Sequence, residues 1–138
     1  MKKVLLTGFP GFRGSELVKR LLRREEPTSV VCLVQPKFAE LARRRAQEIA
    51  QGEGVAASRI ALAEGDITRP DLWLNAASKL AREIVEIFHL AAVYDLSVKR
   101  DLAMKVNVEG TKTVIAFAEK AKNLARLQYV STCYVSGR

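Results

Sequence analysis

The chain is short of several things, and each shortage excludes a class of function. It has only two cysteines, Cys32 and Cys133, and they lack the spacing of a metal site or a disulfide framework. Cys32 falls inside a strand-like segment and Cys133 at the end of one, as small buried apolar residues do, and no metal centre is expected. No apolar run approaches the ~20 residues needed to span a bilayer, and Met1-Lys2-Lys3 leads into a strand pattern rather than a signal peptide. The expectation is a soluble, untargeted, cytoplasmic protein without a membrane span. Linkers, repeats and low-complexity segments are also missing, so residues 1–138 read as one domain, long enough to bury one core. Aromatics are not interleaved with the basic residues as a base-stacking platform requires.

Charge is present in excess. Twenty-three Lys and Arg against fifteen Asp and Glu give +8, which raises the question of a polyanionic partner. The distribution answers it. Lys19, Arg20, Arg23 and Arg24 follow the polar side of a first helix, and Arg43-Arg44-Arg45 sit in a second helix with Glu40 and Glu48. These read as solvated helix faces, with one or two members within reach of a nucleotide phosphate, and no nucleic-acid partner is expected.

Strand and helix patterns alternate. Val4 to Thr7, Ser29 to Val34, Ile60 to Ala63, Ile84 to Leu90 and Leu127 to Ser131 read as strands. Between them, Ser15 to Arg24 and Phe38 to Ala50 read as helices, the second ended by Gly52 and Gly54. A loosely helical stretch runs from Pro70-Asp71 to Arg82, and a long helix from Asp101 to Lys122. This alternation makes βαβ units, and right-handed crossovers leave few ways to wind them. The expected fold is α/β, a Rossmann-type parallel sheet in the order 3-2-1-4-5 with helices on both faces, stopping after the fifth strand. In that order Cys32 and Cys133 stand roughly 14 Å apart, too far for a disulfide.

Between the first strand and first helix lies Thr7-Gly8-Phe9-Pro10-Gly11-Phe12-Arg13-Gly14. A Gly-x-x-Gly-x-x-Gly turn in this context cradles a pyrophosphate. A side chain there would block the backbone from approaching the phosphates, and the following helix aims its N–H groups and positive dipole end at them.

Four motifs in order make the chain resemble the extended short-chain dehydrogenase/reductase family over its whole length. The Thr7 to Gly14 run is similar to that family's cofactor loop. Gly65-Asp66-Ile67 is similar to the acidic turn whose carboxylate accepts from the adenine amino group. His89-Leu90-Ala91-Ala92 is similar to the small-residue strand end that passes cofactor ribose and phosphate, and Asn107-Val108-Glu109-Gly110-Thr111 to the family's central helix. Leu33-Val34-Gln35-Pro36 and Tyr129-Val130-Ser131-Thr132 most resemble the thioester-reductase and fatty-acyl reductase (male sterility) branch. That resemblance implies an NADPH-dependent oxidoreductase reducing an acyl thioester, held on coenzyme A or a carrier protein, to an aldehyde or alcohol.

The branch usually carries Arg, for the NADP 2′-phosphate, where this chain has Gln35. Position chemistry still leans toward NADP over NAD. An NAD site places a carboxylate at the end of the second strand for the ribose 2′-hydroxyl, and such a carboxylate would repel a 2′-phosphate. Gln35 is neutral, and Lys37, Arg13 and Arg43 are near enough in sequence to supply positive charge.

By the same resemblance Thr132 falls at the catalytic Ser/Thr position that hydrogen-bonds the substrate carbonyl, and Asn107 at the helix asparagine that orders the active-site lysine through water. His89 is given no catalytic role. The family's general acid, a Tyr-x-x-x-Lys pair on one helical face, has no match: Tyr94 is followed at the fourth position by Val98, Tyr129 by Cys133 and Tyr134 by Arg138. The chain therefore reads as the N-terminal part of a larger reductase, inactive alone and prone to homo-oligomerise through its unpaired strand edge. Two other readings stay open: a nucleotide-sugar epimerase or dehydratase of the same fold, and a non-catalytic NADP-sensing protein.

Overall fold

A computed structural model describes residues 1–67, 77–90 and 108–129. Five parallel strands form one sheet in the order β3-β2-β1-β4-β5, as the Rossmann-type reading expects. They are β1 (Lys2–Thr7), β2 (Thr28–Val34), β3 (Ile60–Glu64), β4 (Ile84–His89) and β5 (Arg126–Tyr129). The described helices are α1 (Phe12–Leu22), α2 (Ala39–Glu53), α3 (Ala77–Glu83) and α4 (Gly110–Glu119).

The central strand sets the core. Val4, Leu5 and Leu6 of β1 are fully buried, as expected of a parallel strand covered on both faces. On one face Val4, Leu6, Val30, Cys32 and Phe88 meet Val18 and Leu21 of α1 and Ala42, Ala46 and Ile49 of α2. On the other, Leu5, Val31, Leu33 and Ile87 meet Ala81 of α3 and Val114 and Phe117 of α4. Cys32 lies in the first of these layers, and burial raises its thiol pKa far above the usual range. Cys133 lies outside the described residues.

One break in periodicity changes which side chains face where. Lys3 pairs with Ile84 but Val4 pairs with Glu86, so Val85 is an extra residue that bulges from β4. Ile84 and Ile87, three apart, therefore line the same core layer, while Phe88 and Leu90 line the other.

Several boundaries move from the sequence-based expectation. Helix α1 begins at Phe12 rather than Ser15, directly on an N-cap at Gly11. Helix α2 runs through Gly52 and stops only at Gly54, whose φ of 67° is the left-handed conformation that ends a helix and favours glycine. A 3-10 turn over Pro36–Phe38 precedes α2. The long helix expected from Asp101 is described only from residue 108, and its regular α part is Gly110–Glu119. The first half of the Pro70 to Arg82 stretch and the last two residues of the expected fifth strand lie outside the described residues.

Candidate dinucleotide site

The sheet order reverses between β1 and β4, so the crevice outside their carboxyl ends is where an open α/β sheet binds ligands. The loop after β1 forms one wall. Gly8 has φ 103°, which side-chain-bearing residues rarely adopt. Its carbonyl then turns back under the loop and accepts from Gly11 N–H at 3.0 Å. A Cβ on Gly11 would stand 2.8 Å from that oxygen, and one on Gly14 would stand 2.5 Å from it. The glycines therefore have a reason beyond ligand clearance: the loop could not close on itself with side chains at positions 11 and 14. The first turn of α1 has no side-chain cap. Instead Ser15 Oγ donates back to Gly11 O at 2.8 Å, and Ser15 N–H donates to the same carbonyl at 2.9 Å.

A second structure holds this loop from behind. Arg45 of α2 donates from Nη1 to Pro10 O and to Ser15 Oγ, each at 3.3 Å. Neither Arg45 nor Ser15 was among the residues picked out by sequence. Helical spacing carried a partial signal, because Arg45 stands three residues after buried Ala42 and four before buried Ile49. That flank position cannot say which loop the side chain would reach.

The other wall is fixed by the single histidine. His89 is buried at the end of β4, its Nδ1 2.7 Å from Thr7 Oγ1 and its Nε2 3.1 Å from Thr111 Oγ1 of α4. Leu90 N–H donates to Thr7 Oγ1 at 3.0 Å. We assign Nδ1 as acceptor from the Thr7 hydroxyl and Nε2–H as donor to Thr111, the neutral tautomer that serves both ring nitrogens. Burial pushes the His89 pKa down to about 4, so the ring brings no charge to the crevice at neutral pH. It ties β1, β4 and α4 together.

The end of β2 lies beside this crevice. Gln35 is exposed in extended backbone, and Phe38 N–H donates to its carbonyl at 2.9 Å. Lys37 Nζ lies 5.1 Å from the Phe38 ring centroid, a cation–π contact. Arg43, one turn into α2, pairs instead with Glu40 at 3.0 Å on the exposed helix surface. Gly65 N–H donates to Val34 O at 2.9 Å, which brings the turn carrying Asp66 beside the end of β2. Ile67 belongs to the core: it is buried, and a Cβ on Gly110 would meet its Cδ1 at 2.7 Å.

Thr7, Gly8, Gly11, Phe12, Arg13, Gly14, Gln35, Lys37, Asp66 and Leu90 thus converge at the carboxyl ends of adjacent strands. Ala91, Ala92, Asn107 and Thr132 lie outside the described residues. Among the described residues no helix is long and apolar enough to cross a membrane, and no group of His, Cys, Asp or Glu could hold a metal ion.

A parallel sheet wound in this order, with a self-closing glycine turn after its central strand, defines a Rossmann-type NAD(P)-binding domain. Within that class the chain belongs to the male sterility protein family, whose profile matches residues 6–138. It is 33% identical over 147 residues to fatty acyl-CoA reductase 1 of Pongo abelii, covering 96% of this chain and 28% of that protein. Among solved structures, the terminal R domain of the myxalamid PKS-NRPS pathway superposes with a TM-score of 0.77 at 30% identity, over 98% of this chain and 35% of that one. The UDP-glucuronic acid 4-epimerase of Bacillus cereus, in complex with NAD, superposes with a TM-score of 0.71 at 28% identity, over 99% of this chain and 42% of that one. The chain spans about three-tenths of the reductase and about a third of the R domain.

Proposed function

We propose that the chain is the NADP(H)-binding part of a reductase that transfers hydride to the carbonyl of an acyl thioester carried on coenzyme A or a carrier protein. The observation that carries this reading is the self-closing glycine turn beside a β2 end whose exposed residue, Gln35, is neutral and neighboured by Lys37. Kinship with fatty acyl-CoA reductases and with a thiotemplate R domain supports the thioester substrate.

The residues present suit the cofactor. The loop from Gly8 to Gly14 would hold the pyrophosphate, Asp66 the adenine amino group, and Gln35, Lys37, Arg13 and Arg43 the ribose phosphate end. NADPH, when bound, supplies the hydride. The chain's part is to bind and orient: Thr7 Oγ1, which donates to neutral His89, accepts from Leu90 N–H and so joins the ends of β1 and β4 at the crevice. Thr132 donates to the substrate carbonyl oxygen and stabilises charge developing there, and Asn107 orders the lysine of a Tyr-Lys pair that this sequence does not contain. A cytoplasmic location and a homo-oligomer belong to the same proposal.

Calorimetric titration of the chain should give at least tenfold tighter binding of NADPH than of NADH, and Gln35→Asp should reverse the order. Equal affinities overturn the NADP assignment. For the full open reading frame, NADPH oxidation that depends on an acyl thioester and not on UDP-sugars is expected; NAD-dependent epimerisation would favour the reading suggested by the epimerase likeness.

A further inference from the structure

Arg45 differs from its two neighbours. Arg43 and Arg44 are exposed on α2, whereas Arg45 is half-buried and its guanidinium crosses to the loop after β1. There it donates to Pro10 O, in the middle of the glycine turn, and to Ser15 Oγ, one turn into α1. Ser15 in turn holds Gly11 O. One side chain therefore grips the turn at its apex and at its junction with the helix, and it does so from α2, the helix that follows the end of β2.

We infer that Arg45 is a positioning residue for dinucleotide binding. It holds the backbone from Gly8 to Gly14 in the shape that presents N–H groups to a pyrophosphate, and it does not itself touch the 2′-phosphate. The inference rests on the dinucleotide reading above, and it separates Arg45 from the cations assigned to the ribose end. The Gly8–Gly11 bond closes the turn but does not hold the Pro10 carbonyl, which accepts from Ser15 Oγ at 3.3 Å and from Arg45, so Arg45 braces both that carbonyl and the hydroxyl that shares it. Both bonds leave one nitrogen, Nη1, whose N–H groups are fixed in the guanidinium plane, whereas the donors of a lysine ammonium rotate freely.

The test compares the chain with its Arg45→Met and Arg45→Lys variants. Amide exchange is followed at the loop and at β1 and β2, and affinities are measured for NADPH, NADH and adenosine 2′-monophosphate, which has no pyrophosphate. Arg45→Met should weaken NADPH and NADH alike, by about tenfold, the size of one hydrogen bond to a charged group. It should leave adenosine 2′-monophosphate unchanged and speed exchange at Gly11 to Gly14, with β1 and β2 protected as before. Arg45→Lys should recover only part of either effect. Selective loss of NADPH and adenosine 2′-monophosphate would overturn the inference by placing Arg45 on the 2′-phosphate, and full recovery by lysine would overturn it by reducing the effect to charge. Unchanged loop exchange in Arg45→Met overturns it whatever the ligand does. If the unaltered chain binds neither dinucleotide, the proposed function fails, and loop exchange still decides the role of Arg45.

Discussion

The two ends of the same sheet are built by different rules. At the amino ends of the strands, charge is paired with charge. Lys2 meets Glu26, Lys3 meets Glu83, Arg23 takes Glu53 at 2.6 Å, and Arg24 takes Glu86 at 2.6 Å while its guanidinium lies 5.8 Å from the Phe88 ring centroid. Arg59 closes the set by donating to Thr28 O and Leu22 O. At the carboxyl ends the buried fastening is through neutral groups and backbone, namely the Thr7–His89–Thr111 chain, the glycine turn and a guanidinium bound to a carbonyl and a hydroxyl, while the ion pairs Arg43–Glu40 and Lys112–Glu109 lie on exposed helix surfaces. Many surface pairs contribute almost nothing individually, so the amino-end network matters mainly where it is buried, at Glu86.

The largest expected effect breaks the carboxyl end. Gly14→Val should remove dinucleotide binding altogether and lower stability by about 3 kcal/mol in urea unfolding, because its Cβ meets Gly8 O at 2.5 Å and backbone must move. Binding that survives would show that the turn tolerates another shape. Next, Arg24→Met should leave Glu86 as a buried carboxylate without its bidentate partner, costing about 2–3 kcal/mol, somewhat under the fully buried case because Arg24 is partly exposed. NADPH affinity should not change, since the pair lies at the opposite end of the sheet. Loss of binding would mean that the two ends are coupled. The carboxyl of Glu86 is held below its usual range, first by its hydrogen bond to Arg24. The stability from this pair is therefore fully present above the ordinary carboxylate pKa and is lost as pH falls through the depressed value.

A smaller effect sharpens the comparison through pH. His89 is the only histidine in the chain, and its folded pKa of about 4 lies below the unfolded 6.5. Between these values the unfolded chain binds the proton and the folded one does not, so stability should be flat above about pH 6.5 and fall as pH drops toward 4. His89→Gln should cost about 1–2 kcal/mol for the disrupted Thr7 and Thr111 bonds and should erase the part of the slope that begins near pH 6.5. A slope that persists there would assign it to other groups.

Alternation of apolar runs was enough to predict a parallel α/β sheet, because β-rich segments separated by amphipathic ones admit few right-handed windings, and the order 3-2-1-4-5 came with the Rossmann-type reading. The glycine turn was also legible, though for half of its reason. Sequence assigns its glycines to ligand clearance, while the structure adds the carbonyl of Gly8, a neighbour visible only once the turn is closed. What stayed hidden shares one cause. Arg45 to Pro10, His89 to Thr111 and Arg24 to Glu86 are side-chain meetings between elements distant in sequence, and their register depends on packing rather than on composition. Gly52 and Gly54 show the same limit locally, since both are helix-ending residues by type and only the φ of Gly54 decides between them.

Val85 has a consequence of its own. It is spare length: the ladder of β4 against β1 would run unbroken without it, with Ile84, Glu86, Ile87, Phe88 and His89 all keeping their present faces. The surplus residue serves the neighbouring strand instead. Its carbonyl accepts from Ala125 N–H at 2.7 Å, immediately before β5 begins, and β5 then carries Tyr129 to within 5.5 Å, ring to ring, of His89. Shortening β4 by that one residue would leave the core's parity intact and unseat the edge strand, so tolerance to deletion here would be decided by the neighbour and not by the strand that loses the residue.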